Sequence, residues 1–300
     1  PLRCRSEKGI CQKCLGLNED SALSDIGTNI GIIAGQSIGE PSVQLSLNTF
    51  HTGGIAKGRS SRSANTFQTL NNLLLLPKTL PNSAALSKDN GRVEYIKEAP
   101  QGGWDVQVGR RKHYVRGDRD LAVIRGQEIK KGDRLSSGTV DPLELIKLQG
   151  IEKTQDHLSD EIEKIIHENA APVRRRNIEV IVRSITNLGE IDDPGDNLDW
   201  SPGDMRRISE IEHWNDVSGP RKKDVKFTPT LKGVGQMPLS MQEDWMARLN
   251  FQKLNDTMER AVREGWKSDI HGFHPIPAAA YAAEFGKGKE ALGDKWKGQY

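Results

Sequence analysis

The sequence predicts an α+β fold assembled from several consecutive segments. Helix-compatible patterns occupy residues 25–51 and 64–76, and short β-branched runs between turns fill residues 91–133. Helical periodicity then returns over 141–170 and 239–264. The expected divisions follow these changes of pattern. They are a cysteine-bearing segment (1–18), two helices with the tip between them (19–77) and a β-rich, barrel-sandwich-like module (78–137). A helical segment (138–195), an acidic and basic linker (196–230) and a C-terminal helical segment (231–300) complete the chain.

Composition narrows the class. Of 300 residues, 35% are hydrophobic and 28% charged, with six Trp, four Tyr and six Phe. A self-contained globule carries roughly 45–50% apolar residues, so this chain reads as a piece that completes its core against other subunits. A loosely packed soluble protein with long loops is the alternative. The 43 Lys+Arg nearly balance 41 Asp+Glu, a net charge of +2, which argues against a free-standing nucleic-acid binder. No apolar run approaches the roughly 18 residues of a membrane span. Pro1-Leu2-Arg3-Cys4 does not read as a signal peptide. Neither a membrane nor a secreted protein is expected.

All three cysteines, Cys4, Cys11 and Cys14, fall within the first fourteen residues as C-x6-C-x2-C. Three cannot pair completely as disulfides. Cys11-Gln12-Lys13-Cys14 has the form of a knuckle whose tight turn brings two thiolates to one tetrahedral ion. Structural zinc takes four ligands, and the next candidates, His51 and His113, sit far along the chain. The fourth ligand is therefore expected outside this chain, upstream of Pro1 or on another polypeptide. Reduced cysteines without metal, or a redox C-x-x-C, remain the alternatives.

In residues 25–39, Gly31, Gly35 and Gly39 recur at four-residue spacing. Each glycine costs a helix about 1 kcal/mol relative to alanine, so such a stripe points to close approach by another helix or backbone. Glu40-Pro41 is expected to interrupt the helix. Beyond it, Gln44, Leu47, Asn48 and His51 fall at i, i+3, i+4 and i+7 and share one helical face. That face is too polar for a core stripe. Gly53-Gly54 opens a Gly-, Ser-, Lys- and Arg-rich stretch to Asn65, a composition suited to a mobile tip. A second helix over 64–76 would end at Pro77, anchored by Leu73–Leu76.

Gly91–Ile96, Asp105–Val108, His113–Val115 and Leu121–Ile124 read as strands. The turn-rich Gly126–Asp133 resembles the return of a barrel-sandwich module, without a lysine in a carrier-type turn. Leu143, Ile146, Leu148 and Ile151 give one helical face, and Leu158, Ile162, Ile165 and Ile166 another. Ile178–Val182 is a short apolar segment compatible with strand or helix. Three basic runs, Arg110–Lys112, Arg174–Arg176 and Arg221–Lys223, are either solvated faces or phosphate contacts. Trp245, Leu249, Leu254, Met258 and Val262 are expected to pack in the last helix.

GIIAGQSIGEPSVQLSLNTFHTGG (31–54) closely resembles the trigger-loop motif of the largest catalytic subunit of multisubunit RNA polymerases, beta-prime in bacteria. Further matches run in family order. The C-x6-C-x2-C followed by Gly16 resembles the zinc-binding segment before that loop. Val140–Leu143 through Leu148–Glu152 resembles the helical "DPxxLLxLxGxE" stretch, and Asn177–Arg183 the "HIEVIVRQM" segment. Leu231–Val234 with Leu249–Gln252 resembles the region near the beta-prime C-terminus. Ile276–Tyr281 stands where bacterial relatives read "GRLIPAGTG", and departs from it.

The resemblance implies a loop that folds into a helical hairpin over the correct nucleoside triphosphate and excludes water. It implies that Leu47 packs on the incoming base, Gln44 lies near the sugar, and Asn48 approaches sugar or phosphates. His51 is implied as the catalytic residue, orienting the leaving pyrophosphate and stabilising developing charge. Asparagine at position 48, where many bacterial enzymes carry arginine, looks more like the eukaryotic and archaeal pattern. Cys4, Cys11 and Cys14 are the implied zinc ligands.

The family's N-A-D-F-D-G-D loop, whose aspartates hold catalytic Mg2+, is absent from these 300 residues. The implied Mg2+ is therefore bound elsewhere in the assembly, and the chain alone is expected to be inactive. The implied partners are the N-terminal part of beta-prime, beta, the DNA template, nascent RNA and nucleoside triphosphates. The chain is expected to be either a natural split subunit or a segment of a longer polypeptide, with a phage-encoded enzyme acting in the host cytoplasm as the favoured origin and a plastid setting also open. A catalytically silent, zinc-bearing assembly subunit is the rival reading.

Overall fold

The computed structural model of the chain describes residues 1–6, 9–18, 20–51, 59–169, 173–219, 221–237, 259–260, 262–263 and 265. Side chains of residues 44–51 and 59–65 lie outside that description. The fold is mixed α and β, with six helices and seven strands among the described residues. It divides into two compact units, one formed by Pro1–Leu75 with Ser159–Tyr300 and the other by Leu76–Leu158.

In the first unit, α1 (Gln12–Leu15) is a single turn, followed by α2 (Ile30–His51) and α3 (Arg59–Leu75). Asn29 caps α2, its Oδ1 accepting the Ile32 amide at 3.1 Å. Contrary to the sequence expectation, α2 runs through Pro41 without interruption. An interior proline costs a helix about 3 kcal/mol, so packing must offset it. Ala34, Ile38 and Pro41 itself are buried, and α2 packs against both α3 and α5. The hydroxyls of Ser37 and Ser42 bond back to the carbonyls of Ile33 and Ile38, each at 2.7 Å.

The glycine stripe also departs from expectation. A Cβ at Gly35 or Gly39 would meet nothing within 4 Å. No neighbour within the described chain requires those glycines. The other leg, α3, begins five residues earlier than the sequence pattern indicates and ends just before Pro77, with Leu70 and Leu73 buried. Its last turn is stopped from outside: the Val234 amide donates to the Leu74 carbonyl at 2.9 Å. There a Cβ at Gly233 would lie 1.9 Å from the Leu75 carbonyl oxygen.

The segment left open between strand and helix is α5 (Arg175–Thr186). Its β-branched residues favour a strand locally, but Ile178, Val182 and Ile185 form one buried stripe at helical spacing. Tertiary packing on α2 decides the outcome. Residues 196–230, read from sequence as a charged linker, instead hold β6 (Met205–Arg207), α6 (Ile208–Ser218) and β7 (Lys226–Thr230). With β5 (Leu188–Asp193) the strands form an antiparallel sheet in the order β6-β5-β7. Ile191, Trp200, Ile211 and Val225 make its core, joined by Trp214 and Phe227. Pro229 sits in β7, an outer strand, the place where a sheet tolerates proline.

In the second unit, β1 (Gly91–Glu98), β2 (Trp104–Val108), β3 (Arg111–Val115) and β4 (Glu128–Ile129) form an antiparallel sheet ordered β3-β2-β1-β4. Val93, Val106, Val108, Val115, Val123, Ile129 and Leu135 fill its core. At the β1–β2 turn, a Cβ on Gly103, at φ +88°, would strike the Val115 carbonyl at 2.3 Å, so only glycine fits. Next, α4 (Pro142–Asn169), whose residues from Ser159 onward belong to the first unit, starts with Asp141 Oδ1 accepting the Leu143 amide at 2.9 Å and proline in the first turn. Gly150, at φ 81° and ψ 179°, breaks α4 into two helices.

Of the last expected helix, Trp245, Leu249, Leu254 and Met258 lie outside the described residues. Val262 is described and is 82% exposed, so it does not pack as expected against any described neighbour. The segments Leu249–Gln252 and Ile276–Tyr281 also lie outside. No helix among the described residues is long and apolar enough to cross a membrane.

Candidate functional site

Two features concentrate chemistry in the first unit: the cysteine cluster and the far half of α2. The sulfurs of Cys4, Cys11 and Cys14 all lie within 4.8 Å of one another. Local backbone geometry brings them together. The Cys4 amide closes a turn on the Pro1 carbonyl at 3.1 Å, and Cys11 is the N-cap of α1. The short helix carries Cys14 and ends at Gly16 with φ 82°, where glycine relieves the strain. Cys4 is buried while Cys11 and Cys14 are exposed, and the Cys11 amide donates to Cys4 Sγ at 3.3 Å.

The cluster suits a thiophilic ion. Sulfurs around a tetrahedral zinc at about 2.3 Å stand about 3.8 Å apart, so closing onto a metal asks only a small contraction. Hydrogen bonds from the Cys14 amide and thiol hold the Cys11 thiol below its ordinary pKa. Cys14 is pushed up to about 11, first by its hydrogen bond to Cys11 and then by burial. A bound cation would displace the protons of both thiols, since the thiolate is the ligand form. Among the described residues no fourth His, Cys, Asp or Glu joins the group.

What holds this cluster was not legible as function in the sequence. Arg183, from α5, is only 3% exposed. Its guanidinium donates to the carbonyls of Pro1 (3.0 Å), Cys4 and Ser6 (3.5 Å). Burial lowers its pKa, and the cysteine sulfurs and Glu212 act in the opposite sense. Arg176, on the same helix, donates to the Leu17 carbonyl just beyond the knuckle. Asn177 reaches α2, its Nδ2 donating to Ser37 Oγ at 2.8 Å. The available signal was a lone arginine beside an apolar helical stripe.

The far half of α2 places Gln44, Leu47, Asn48 and His51 on one helical face by backbone geometry. Their side chains lie outside the described residues, as do Gly53 and Gly54. His113 is not near a metal group. It is buried in β3, where its Nε2 accepts the Lys88 amide at 2.9 Å.

The basic runs are occupied structurally. Arg111 pairs with Asp89 at 3.2 Å and Lys112 with Asp105 at 2.6 Å. Arg175 binds Asp160, Glu163 and Glu179 at 2.7, 2.6 and 3.0 Å. Lys223 pairs with Asp193 at 2.7 Å, and Lys222 lies over the Trp214 ring. These partners favour solvated or packed faces over phosphate contacts for the residues named.

The chain is 29% identical over 303 aligned residues to the DNA-directed RNA polymerase subunit beta' of Malacoplasma penetrans, covering 98% of this chain and 23% of that protein. It is 30% identical to the beta' subunit of Thermus aquaticus, covering 91% of this chain and 18% of the relative. Against the beta' subunit of Ureaplasma parvum the identity is 36%, over 66% of this chain and 16% of the relative. The chain thus spans under a quarter of the length of these relatives. The family described as RNA polymerase Rpb1, domain 5, matches residues 4–102 and 105–242, and the chain belongs to that family.

Proposed function

We propose that this chain supplies the trigger loop of a multisubunit DNA-dependent RNA polymerase, closing on the incoming nucleoside triphosphate during template-directed phosphodiester bond formation. One observation carries the reading: the 31–54 motif enters a helix that runs unbroken to His51 and puts Gln44, Leu47, Asn48 and His51 on one side. The base of that helix is fixed by α3 and α5, so its far half can engage or leave a substrate without disturbing the anchor.

In this mechanism Leu47 stacks on the incoming base and excludes water, while Gln44 and Asn48 read the sugar and adjoining phosphate. His51 orients the leaving pyrophosphate and stabilises the charge that develops on it. Asparagine at 48 contributes hydrogen bonds but no charge. Mg2+ held by aspartates outside this chain would activate the attacking 3′-oxygen and clamp the phosphates. The cysteine cluster would hold a structural zinc with a fourth ligand from elsewhere, bracing the knuckle.

The partners in this reading are the remaining beta-prime segment, beta, template DNA and nascent RNA. The open glycine face of α2 is a surface such a partner can cover.

His51→Ala in the assembled polymerase should slow nucleotide addition by on the order of 10²-fold, with assembly and template binding intact. An unchanged elongation rate would remove His51 from the mechanism. Loss of assembly without any kinetic defect would favour the zinc-bearing assembly subunit instead.

A further inference from the structure

We propose that Arg183 is the positioning residue of the cysteine centre, holding the backbone that carries Cys4 and supplying the positive charge that a thiolate-bound ion calls for. The inference rests on the metal-binding reading of the cluster. Cys4 is the sulfur most in need of placement, because Cys11 and Cys14 are tied by one short helix while Cys4 arrives from a separate turn. Arg183 grips that turn at three carbonyls, those of residues 1, 4 and 6. Two nitrogens of a rigid planar fork hold the three carbonyls in fixed directions, a geometry that the single nitrogen of a lysine does not reproduce.

Charge makes the same point. Carbonyls satisfy the hydrogen bonds of a buried guanidinium but do not neutralise it. The cysteine sulfurs and Glu212 favour its charged form. Three thiolates around a divalent ion leave one net negative charge, and a fourth leaves two, which an adjacent guanidinium offsets. Arg183 also belongs to the helix whose Asn177 bonds Ser37 of α2. The metal end and the α2 end therefore share one rigid element.

The test uses the chain in its native assembly, loaded with zinc and, separately, with Co2+ as a spectroscopic probe. Arg183→Met should release zinc to a chromogenic chelator at least about tenfold faster than the unmutated protein. It should also shift the thiolate-to-cobalt charge-transfer band. Arg183→Lys, which keeps the charge and loses the fork, should fall between them. Unchanged release and an unchanged cobalt spectrum in a folded Arg183→Met protein would overturn the role while leaving the metal site standing. An unmutated assembly that takes up neither ion would instead overturn the metal reading, and the role with it. Should Arg183→Met fail to fold, the unmutated protein decides. Chelation should raise amide exchange over residues 181–186 of α5, and unchanged exchange there would overturn the proposal.

Discussion

Asn177 Nδ2 donates to Ser37 Oγ at 2.8 Å, joining α5 to α2 across 140 residues of sequence. The same serine hydroxyl donates to the Ile33 carbonyl at 2.7 Å, so it acts as acceptor and donor at once. Asn177→Ala should lower unfolding stability by about 1 kcal/mol. Ser37→Ala should cost less, because alanine restores helix propensity. A double-mutant cycle read from denaturant midpoints should return a coupling of about 0.5–1 kcal/mol. Additive effects would mean that the contact does not hold α2 in solution.

Arg175 ties the end of α4 to α5 through three carboxylates, but 40% of its side chain is exposed. Solvent screens these pairs, so Arg175→Met should cost about 1 kcal/mol and Asp160→Asn, at the most exposed partner, under about 0.5. Raising salt to about 0.5 M should shrink the first difference. A loss several times larger would show that the network is less hydrated than its exposure indicates.

His113 provides a pH test of the β-rich unit. Burial lowers its pKa below the ordinary 6.5; a backbone hydrogen bond at Arg111 and nearby Asp89 oppose that shift, while the charges of Arg111 and Lys88 add to it. Its Nε2 accepts a backbone amide, so the folded state holds the neutral ring. Above the unfolded pKa both states are neutral and the contribution is complete. As pH falls below about 6.5 the unfolded chain binds the proton first, so stability declines until the folded pKa is reached. Urea titrations between about pH 8 and about pH 5 should show this slope, and His113→Gln, which can accept without titrating, should flatten it.

Two sets of glycines should respond in opposite directions. Gly233→Ala drives a methyl into the Leu75 carbonyl and should cost about 3 kcal/mol or more, visible as a lowered melting temperature. Gly35→Ala and Gly39→Ala meet open space inside a helix and should each stabilise the chain by about 1 kcal/mol. Under the polymerase reading, the same two substitutions should weaken assembly with the other subunits, measured by co-purification. Full incorporation of both variants would mean that no partner packs on that face.

The sequence exposed the cysteine cluster and the periodicity of α2, because both are local patterns. It misplaced the effect of Pro41, since the buried contacts of Ala34 and Ile38 that carry the helix past it come from distant elements. It also hid the β6-α6-β7 region. There Ile191, Trp200, Ile211 and Val225 occur singly among charged residues and only become a core once the strands pair. The role of Arg183 was hidden for the same reason: its acceptors lie about 180 positions away in the chain.

The outermost strand β7 carries Pro229 opposite Gly189. A residue with no N–H cannot complete a fresh ladder, so an approaching strand from another molecule finds a broken template on that side. The opposite edge is β6, only three residues long and so a short template. Growth by strand addition, the usual route by which exposed sheets stick to one another, is blocked at the β7 edge by a single ring.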